Sequence, residues 1–202
     1  MKKWLLVVLM LLSTQVCAAI KENVDYKVLA QPQPVADPKK IEVLEFFSYN
    51  CIHCKDLEPR VLAWQKTQPR DVDFKQQQIV WGESMEGFAR LFATVTALNL
   101  GSKLNEPIFQ AIFQKNTDLR QPDVLKTWLP TQGVNAATFL QTFQSFGVNA
   151  AVARAKTMTR DYKIEATPTF VIGGKYLLMP ATPDRLLQVV DELVQQIRAK
   201  RK

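Results

Sequence analysis

Histidine occurs once in 202 residues and cysteine only three times. A single imidazole excludes histidine-rich metal clusters and leaves any His-dependent chemistry resting on one residue. Glycine (7) and proline (11) are too sparse for a collagen-like or Pro/Gly-rich disordered chain. The apolar run Trp4 to Leu12 falls well short of the about 20 residues that cross a bilayer, and no later segment is a better candidate. What remains is an ordinary globular balance, 47% hydrophobic and 22% charged with a net charge of +7. Such a length suffices for one large domain, or one domain carrying an inserted one, without disulfide staples.

The N-terminus reads as a delivery signal. Lys2 and Lys3 precede the apolar run, and Val16-Cys17-Ala18-Ala19 ends it with small side chains, so residues 1–19 are expected to be a signal peptide cleaved after Ala18 or Ala19. A lipid anchor at Cys17 is disfavoured, because such sites usually carry Leu three residues earlier and a small residue directly before the Cys. Here those positions hold Thr14 and Val16. Cleavage removes two lysines and Cys17, leaving two cysteines in a soluble protein of an oxidising, exported compartment. The tail Lys200-Arg201-Lys202 reads as a solvated end, so no nucleic-acid partner is expected.

Beyond an irregular start and the turn-rich Gln31-Pro32-Gln33-Pro34, the stretch Ile41-Glu42-Val43-Leu44-Glu45-Phe46-Phe47 predicts a strand buried on both faces. Residues 51–67 read as a helix, with a kink expected at Pro59, and Val72 to Val80 as a second strand. That order is the unit of a parallel sheet. From Ser84 to Tyr162 helical stripes take over: Phe88, Leu91, Phe92, Val95 and Leu98; Ile108, Ile112 and Phe113; Phe139, Phe143 and Phe146. Gly101, Pro107, Pro122, Pro130, Gly133 and Gly147 are expected to divide this segment into helices. Strands return at Thr169–Ile172 and Tyr176–Leu178 around a Gly173-Gly174 turn, and a last helix runs from about Thr182 to Ala199. The fold class is α/β. Its expected parts are residues 20–83 with 163–202 as one domain and 84–162 as an all-helical insert.

The two remaining cysteines stand together as Cys51-Ile52-His53-Cys54, after a buried strand and at a helix start. Residues i and i+3 on a first helical turn can approach to disulfide distance. The first then sits among unpaired N–H groups that favour its thiolate. Cys51 is therefore the expected nucleophile and Cys54 the more buried resolving thiol. A structural disulfide closing four residues constrains the unfolded chain very little. Zinc needs about four ligands where Cys51, His53 and Cys54 offer three. Haem attachment needs His after the second Cys, and Lys55 stands there. His53 can support the Cys51 thiolate, which favours the reduced form and makes the disulfide more oxidising. Ile52 is expected to be exposed and to contact substrate. Glu45, a carboxylate inside an apolar strand, is assigned as proton acceptor for Cys54, the alternative being a solvated strand edge. Thr167-Pro168 stands at a strand entry, where an X–Pro bond taken alone is usually trans.

Together these residues resemble the DsbA family of periplasmic thiol:disulfide oxidoreductases. The resemblance covers Val43-Leu44-Glu45-Phe46-Phe47-Ser48, Cys51-Ile52-His53-Cys54, the helical segment and Ala166-Thr167-Pro168-Thr169-Phe170-Val171-Ile172. It implies a thioredoxin-like fold with an inserted helical domain, and a cis Pro168 facing a redox-active Cys51–Cys54 disulfide that is the sole redox group, with no cofactor and no metal. It further implies that the Thr167 backbone bonds an extended substrate segment and that Glu45 lies beneath the active site. A strongly lowered Cys51 pKa is implied too, a property for which this family is the reference case. The family's commonest dipeptide between the cysteines is Pro-His, and here Ile52 replaces the Pro, removing a rigid first helical residue while the His is kept. The expected activity is that of a monomeric periplasmic dithiol oxidase. It acts on reduced exported proteins and is reoxidised by a quinone-linked inner-membrane partner of the DsbB type. A reductant or isomerase, and a metal-binding module on Cys51, His53 and Cys54, stand as alternatives.

Overall fold

The computed structural model describes residues 19–201, so the expected signal peptide and Cys17 lie outside the described residues apart from Ala19. Five strands form one mixed sheet in the order β1-β5-β4-β2-β3: β1 Tyr26–Val28, β2 Ile41–Phe47, β3 Val72–Gln78, β4 Thr169–Ile172 and β5 Tyr176–Leu178. The central β2 is buried along its whole length, as its nearly continuous apolar sequence requires. It runs parallel to β3 and antiparallel to β4. The turn of the hairpin β4–β5 is made by Gly173 and Gly174, both at positive φ, which matches the twist of the flanking strands.

Helix α1 (Ile52–Thr67) connects β2 to β3, and α7 (Pro183–Lys200) ends the chain. Both cover one face of the sheet. Leu57, Val61 and Trp64 of α1 and Leu186, Val189, Val190, Leu193 and Val194 of α7 pack with Ile41, Val43, Phe170 and Ile172. The spacing of these residues is helical, and each fully buried aliphatic or aromatic side chain is worth about 1.5–3 kcal/mol in transfer free energy. Trp64 Nε1 donates to Asp191 Oδ1 at 2.7 Å, tying the two helices together. Thr182 caps α7 by accepting from the Arg185 N–H, with Pro183 in the first turn. Pro59 lies inside α1 without ending it.

Between β3 and β4 come a short 3₁₀ turn (Glu83–Met85) and five helices: α2 Glu86–Ala97, α3 Gly101–Lys115, α4 Pro122–Thr131, α5 Ala136–Phe143 and α6 Phe146–Asp161. Their shared core contains Phe88, Leu91, Leu104, Ile108, Leu125 and Phe139, and it extends to Phe47 of β2, Tyr49 of the following loop and Cys54 of α1. On the other face of the sheet Tyr162 and Ile164 pack on Leu44, Phe46 and Val171.

Four expectations are corrected. The start is not irregular throughout: Tyr26–Val28 pairs antiparallel with β5, a three-residue edge strand too short for a periodic signal. Phe146 does not extend the Phe139/Phe143 stripe. Ser145 caps a new helix there, and Phe146 points outward, 85% exposed. Pro107 and Pro130 lie inside α3 and α4 rather than between helices, and Gly101 and Gly147 fall within first turns. The second strand also stops at Gln78, two residues short of Val80.

Gly174 is where the N-terminal segment meets the sheet. Its carbonyl accepts from Gln33 N–H at 2.8 Å, and a Cβ there would stand 2.1 Å from the Gln33 carbonyl oxygen at a φ of +63°. Gly174→Ala is expected to destabilise the protein by about 1–3 kcal/mol in urea or thermal unfolding, leaving the thiol chemistry unchanged.

Candidate active site

Cys51 is the N-cap of α1. Its extended backbone turns the sulfur back over the helix start, where Cys54 N–H donates to Sγ at 3.3 Å. Cys51 is partly exposed, and both cysteines are free thiols in this structure. Cys54, one turn further in, is 1% exposed. On the outer side, Cys51 Sγ lies 3.4 Å from the Thr167 carbonyl oxygen, to which it donates as a thiol. The Thr167–Pro168 peptide bond is cis, as the family resemblance implies and as residue frequencies alone do not. Ile52 is exposed, at 43%, as expected of the first residue of α1, and the His53 side chain is exposed as well.

The two thiols are driven apart electrostatically. A hydrogen bond from the Cys54 thiol, followed by the Thr167 side chain and the main-chain N–H groups of Cys54 and His53, outweighs burial and lowers the Cys51 pKa to about 5. Burial first, then the neighbouring Cys51, pushes Cys54 far up. His53 thus contributes its main-chain N–H to holding the Cys51 thiolate.

Beneath the sulfurs lies a buried polar cluster. Glu45 and Gln76 are register partners on β2 and β3, and alternation along both strands turns them toward α1, where Glu58 is buried. Gln76 Nε2 donates to Glu45 Oε2 at 2.9 Å and to Glu58 Oε2 at 2.7 Å. Asn105 Nδ2 of α3 donates to Glu58 Oε1 at 3.1 Å and to Gln76 Oε1 at 3.2 Å, and Tyr49 O–H donates to Asn105 Oδ1 at 2.7 Å. Burial, then the Glu58 carboxylate, raises Glu45 to about 8 against a smaller lowering by Gln76. Glu45 is therefore buried, not at a solvated edge, and its surroundings favour the protonated carboxyl.

Of the residues singled out in the sequence, Cys51, Cys54 and Thr167 meet at one point and Pro168 follows directly. Glu45 interacts electrostatically with both thiols. Glu58, Gln76 and Asn105 were not foreseen. Glu58 was detectable in principle, four residues after Cys54 on the buried face of an amphipathic helix. Gln76 and Asn105 carry no such signal. Among the described residues no group of three or more His, Cys, Asp and Glu is arranged to hold a metal ion, and no helix is long and apolar enough to cross a membrane.

The DSBA-like thioredoxin domain profile matches residues 68–193. The thiol:disulfide interchange protein DsbA of Burkholderia cepacia is 36% identical over 188 residues, spanning 91% of this chain and 89% of the relative. A match that broad necessarily includes residues 51–54. The chain belongs to the DsbA family. DsbA of Bordetella parapertussis is 37% identical over 177 residues, covering 86% of this chain and 84% of its own. Among solved structures, the oxidoreductase NmDsbA1 of N. meningitidis superposes with a TM-score of 0.83 at 33% identity, over 91% of this chain and 97% of its own. Pseudomonas aeruginosa DsbA gives 0.84 at 30% identity, over 87% and 93%. The fold is thus the thioredoxin-like DsbA fold with its helical insertion. The protein is a thiol:disulfide oxidoreductase with the dithiol oxidase role of that family.

The lowered Cys51 pKa fixes how stability varies with pH. A thiol whose folded pKa lies below its unfolded value, near 9, stabilises the folded dithiol fully above that unfolded value. This stabilisation fades as pH falls and is gone below about 5. Thiolate absorbance of the reduced protein is expected to titrate with a midpoint near 5, and the excess stability of the reduced over the oxidised form is expected to grow between that pH and about 9.

Proposed function

We propose that the protein oxidises exported proteins by disulfide exchange at Cys51, with Cys54 as the leaving thiol and Glu45 as its proton partner. The observation that carries this reading is the asymmetry of the pair: an accessible sulfur stabilised as thiolate beside a buried one held as thiol. A substrate thiolate attacks Cys51 Sγ, the Cys51–Cys54 bond breaks, and Cys54 leaves with the proton that Glu45 carries. A second substrate thiolate then attacks the substrate sulfur of the mixed disulfide. Cys51 departs as a thiolate, a good leaving group because its pKa is low. Two electrons have passed from substrate to protein.

Reoxidation reverses the bookkeeping of protons. Cys51 thiolate attacks a disulfide of a quinone-linked inner-membrane partner of the DsbB type, breaking that bond and freeing one partner thiolate; Glu45 takes the Cys54 proton, and Cys54 attacks Cys51 Sγ, expelling the second partner thiolate, so that the internal disulfide is restored and the two electrons leave on the partner's dithiol. A carboxyl titrating at about 8 is suited to give and take that proton near neutrality. No cofactor beyond the Cys51–Cys54 disulfide enters the cycle. Ile52, exposed beside the nucleophile, and the Thr167-Pro168 segment are the substrate-facing groups, the Thr167 main chain pairing with an extended peptide. His53 supports the thiolate through its position between the sulfurs. Residues 20–83 and 163–202 form the catalytic domain and 84–162 the insert, a division supported by the run of helices between β3 and β4. The signal-like residues 1–19 and the family relationship support a periplasmic, monomeric protein.

Cys54→Ala is expected to accumulate mixed disulfides on Cys51 in oxidising cells; an absence of such adducts would overturn the mechanism. At equilibrium with glutathione the Cys51–Cys54 pair is expected to lie far toward the dithiol, whereas a thioredoxin-like equilibrium would mark a reductant.

A further inference from the structure

Two carboxyls share the buried cluster, and their hydrogen bonds are unequal. Glu58 receives two N–H donors, from Gln76 and Asn105, while Glu45 receives one, from Gln76. The direction of these bonds suits carboxyls that act as acceptors. Turning the Gln76 amide over would set its oxygen against both carboxyls, and turning the Asn105 amide would set its oxygen against Glu58 and against Gln76 Oε1. The Tyr49 hydroxyl, donating to Asn105 Oδ1, completes the chain from α3 to the sheet. Among the described residues no Lys or Arg donates to the cluster: Lys75, the nearest in sequence, pairs with Glu42 and Asp73. Among the described residues, the ionisable groups that act on Glu45 or are acted on by it are Glu58 and the two cysteines from α1 and its cap, while Tyr49, from the loop between β2 and α1, interacts with Glu58. A proton shared by the two carboxyls is therefore placed by neutral amides alone.

We propose that Asn105, a residue of the inserted helices, is a positioning residue that keeps Glu58 ionised and the shared proton on Glu45, holding Glu45 ready as the acid for Cys54. The inference rests on the reading of Glu45 as the proton partner of Cys54. Its physical content is a competition. Hydrogen bonds to an anion are the strong ones, so the carboxyl with two donors gives up its proton first, and its charge then raises the other's hold on the remaining proton. Removing the Asn105 donor moves part of that proton onto Glu58 and leaves Glu45 more often as the free base.

Asn105 and Gln76 also line an open cleft of about 1210 Å³ between β3 and the insert, whose lining includes neither carboxyl. A small replacement would admit water as a substitute donor, so the variant that tests the idea is Asn105→Leu, which fills the space. Combining it with Tyr49→Phe leaves no orphaned hydroxyl, and Tyr49→Phe alone serves as the control for folding and packing. The readout is the attack of Cys54 on a preformed mixed disulfide between Cys51 and thionitrobenzoate. The step forms the Cys51–Cys54 bond, breaks the bond to the probe and releases one coloured thiolate, the Cys54 proton passing to Glu45.

The pH profile of this release is expected to rise with a midpoint near 8, set by Glu45. In Tyr49→Phe/Asn105→Leu the midpoint is expected to fall by on the order of one pH unit, with release at neutral pH several-fold faster. Glu58→Gln is expected to lower it as well, and the two changes together to give no further shift, because Asn105 acts through the Glu58 charge. A midpoint unmoved in the folded double variant, or moved equally with Glu58 absent, overturns the proposal. If Glu45→Gln leaves the original midpoint in place, it is the reading of Glu45 that fails. If Glu45→Gln abolishes that limb while the double variant does not shift it, the role of Asn105 alone fails.

Discussion

The site depends on the free N–H groups at the start of α1. An α-helix leaves its first four amides without intrahelical partners, and Cys51, as N-cap, offers its sulfur to them in place of the oxygen of the more usual Ser, Thr, Asp or Asn. A thiolate meets that demand better than a thiol, so the geometry of the cap is itself a bias toward ionisation. Cys54 is drawn the other way by the same helix. Its position one turn on places it in the core shared with the insert, where a charge is costly. One helix turn thus yields two cysteines of opposite character.

That asymmetry creates a proton problem that the sheet resolves. Cys54 becomes a leaving group only if a proton reaches it in a region closed to solvent, and β2 supplies a carboxyl from its α1-facing side. A lone buried carboxylate would be destabilising; Glu45 avoids that cost by staying protonated and by accepting from Gln76. Glu58 makes this state more persistent, since two neighbouring carboxyls resist ionising together. Neutral side chains from β3 and α3 set the balance, which lets the cluster hold a proton without adding a buried cation.

The parts visible in the sequence were those with period or spacing. The buried run of β2, the Cys51/Cys54 interval, the Gly173-Gly174 turn and the helical stripes each express a repeating geometric demand. Thr167-Pro168 was visible only through the family's likeness, because nothing local specifies the isomer. The polar cluster was hidden for a different reason: Gln76 sits within three consecutive glutamines and Asn105 follows an apolar residue in an ordinary amphipathic helix, and neither pattern distinguishes a buried amide from a solvated one. Phe146 shows the converse, a stripe continued on paper past a cap that ends the helix.

The ionisable groups of the reaction all lie between Glu45 and Glu58, one uninterrupted strand–loop–helix segment, whereas Gln76, Asn105 and Thr167 come from later parts of the chain and are uncharged. During synthesis the segment therefore emerges as an ordinary dithiol with two hydrated carboxylates. Its thiol is fully tuned only when residue 167, more than a hundred positions later, closes over Cys51. The reactivity of the pair is thus a property of the completed fold, and no fragment of the chain that lacks its last third carries it.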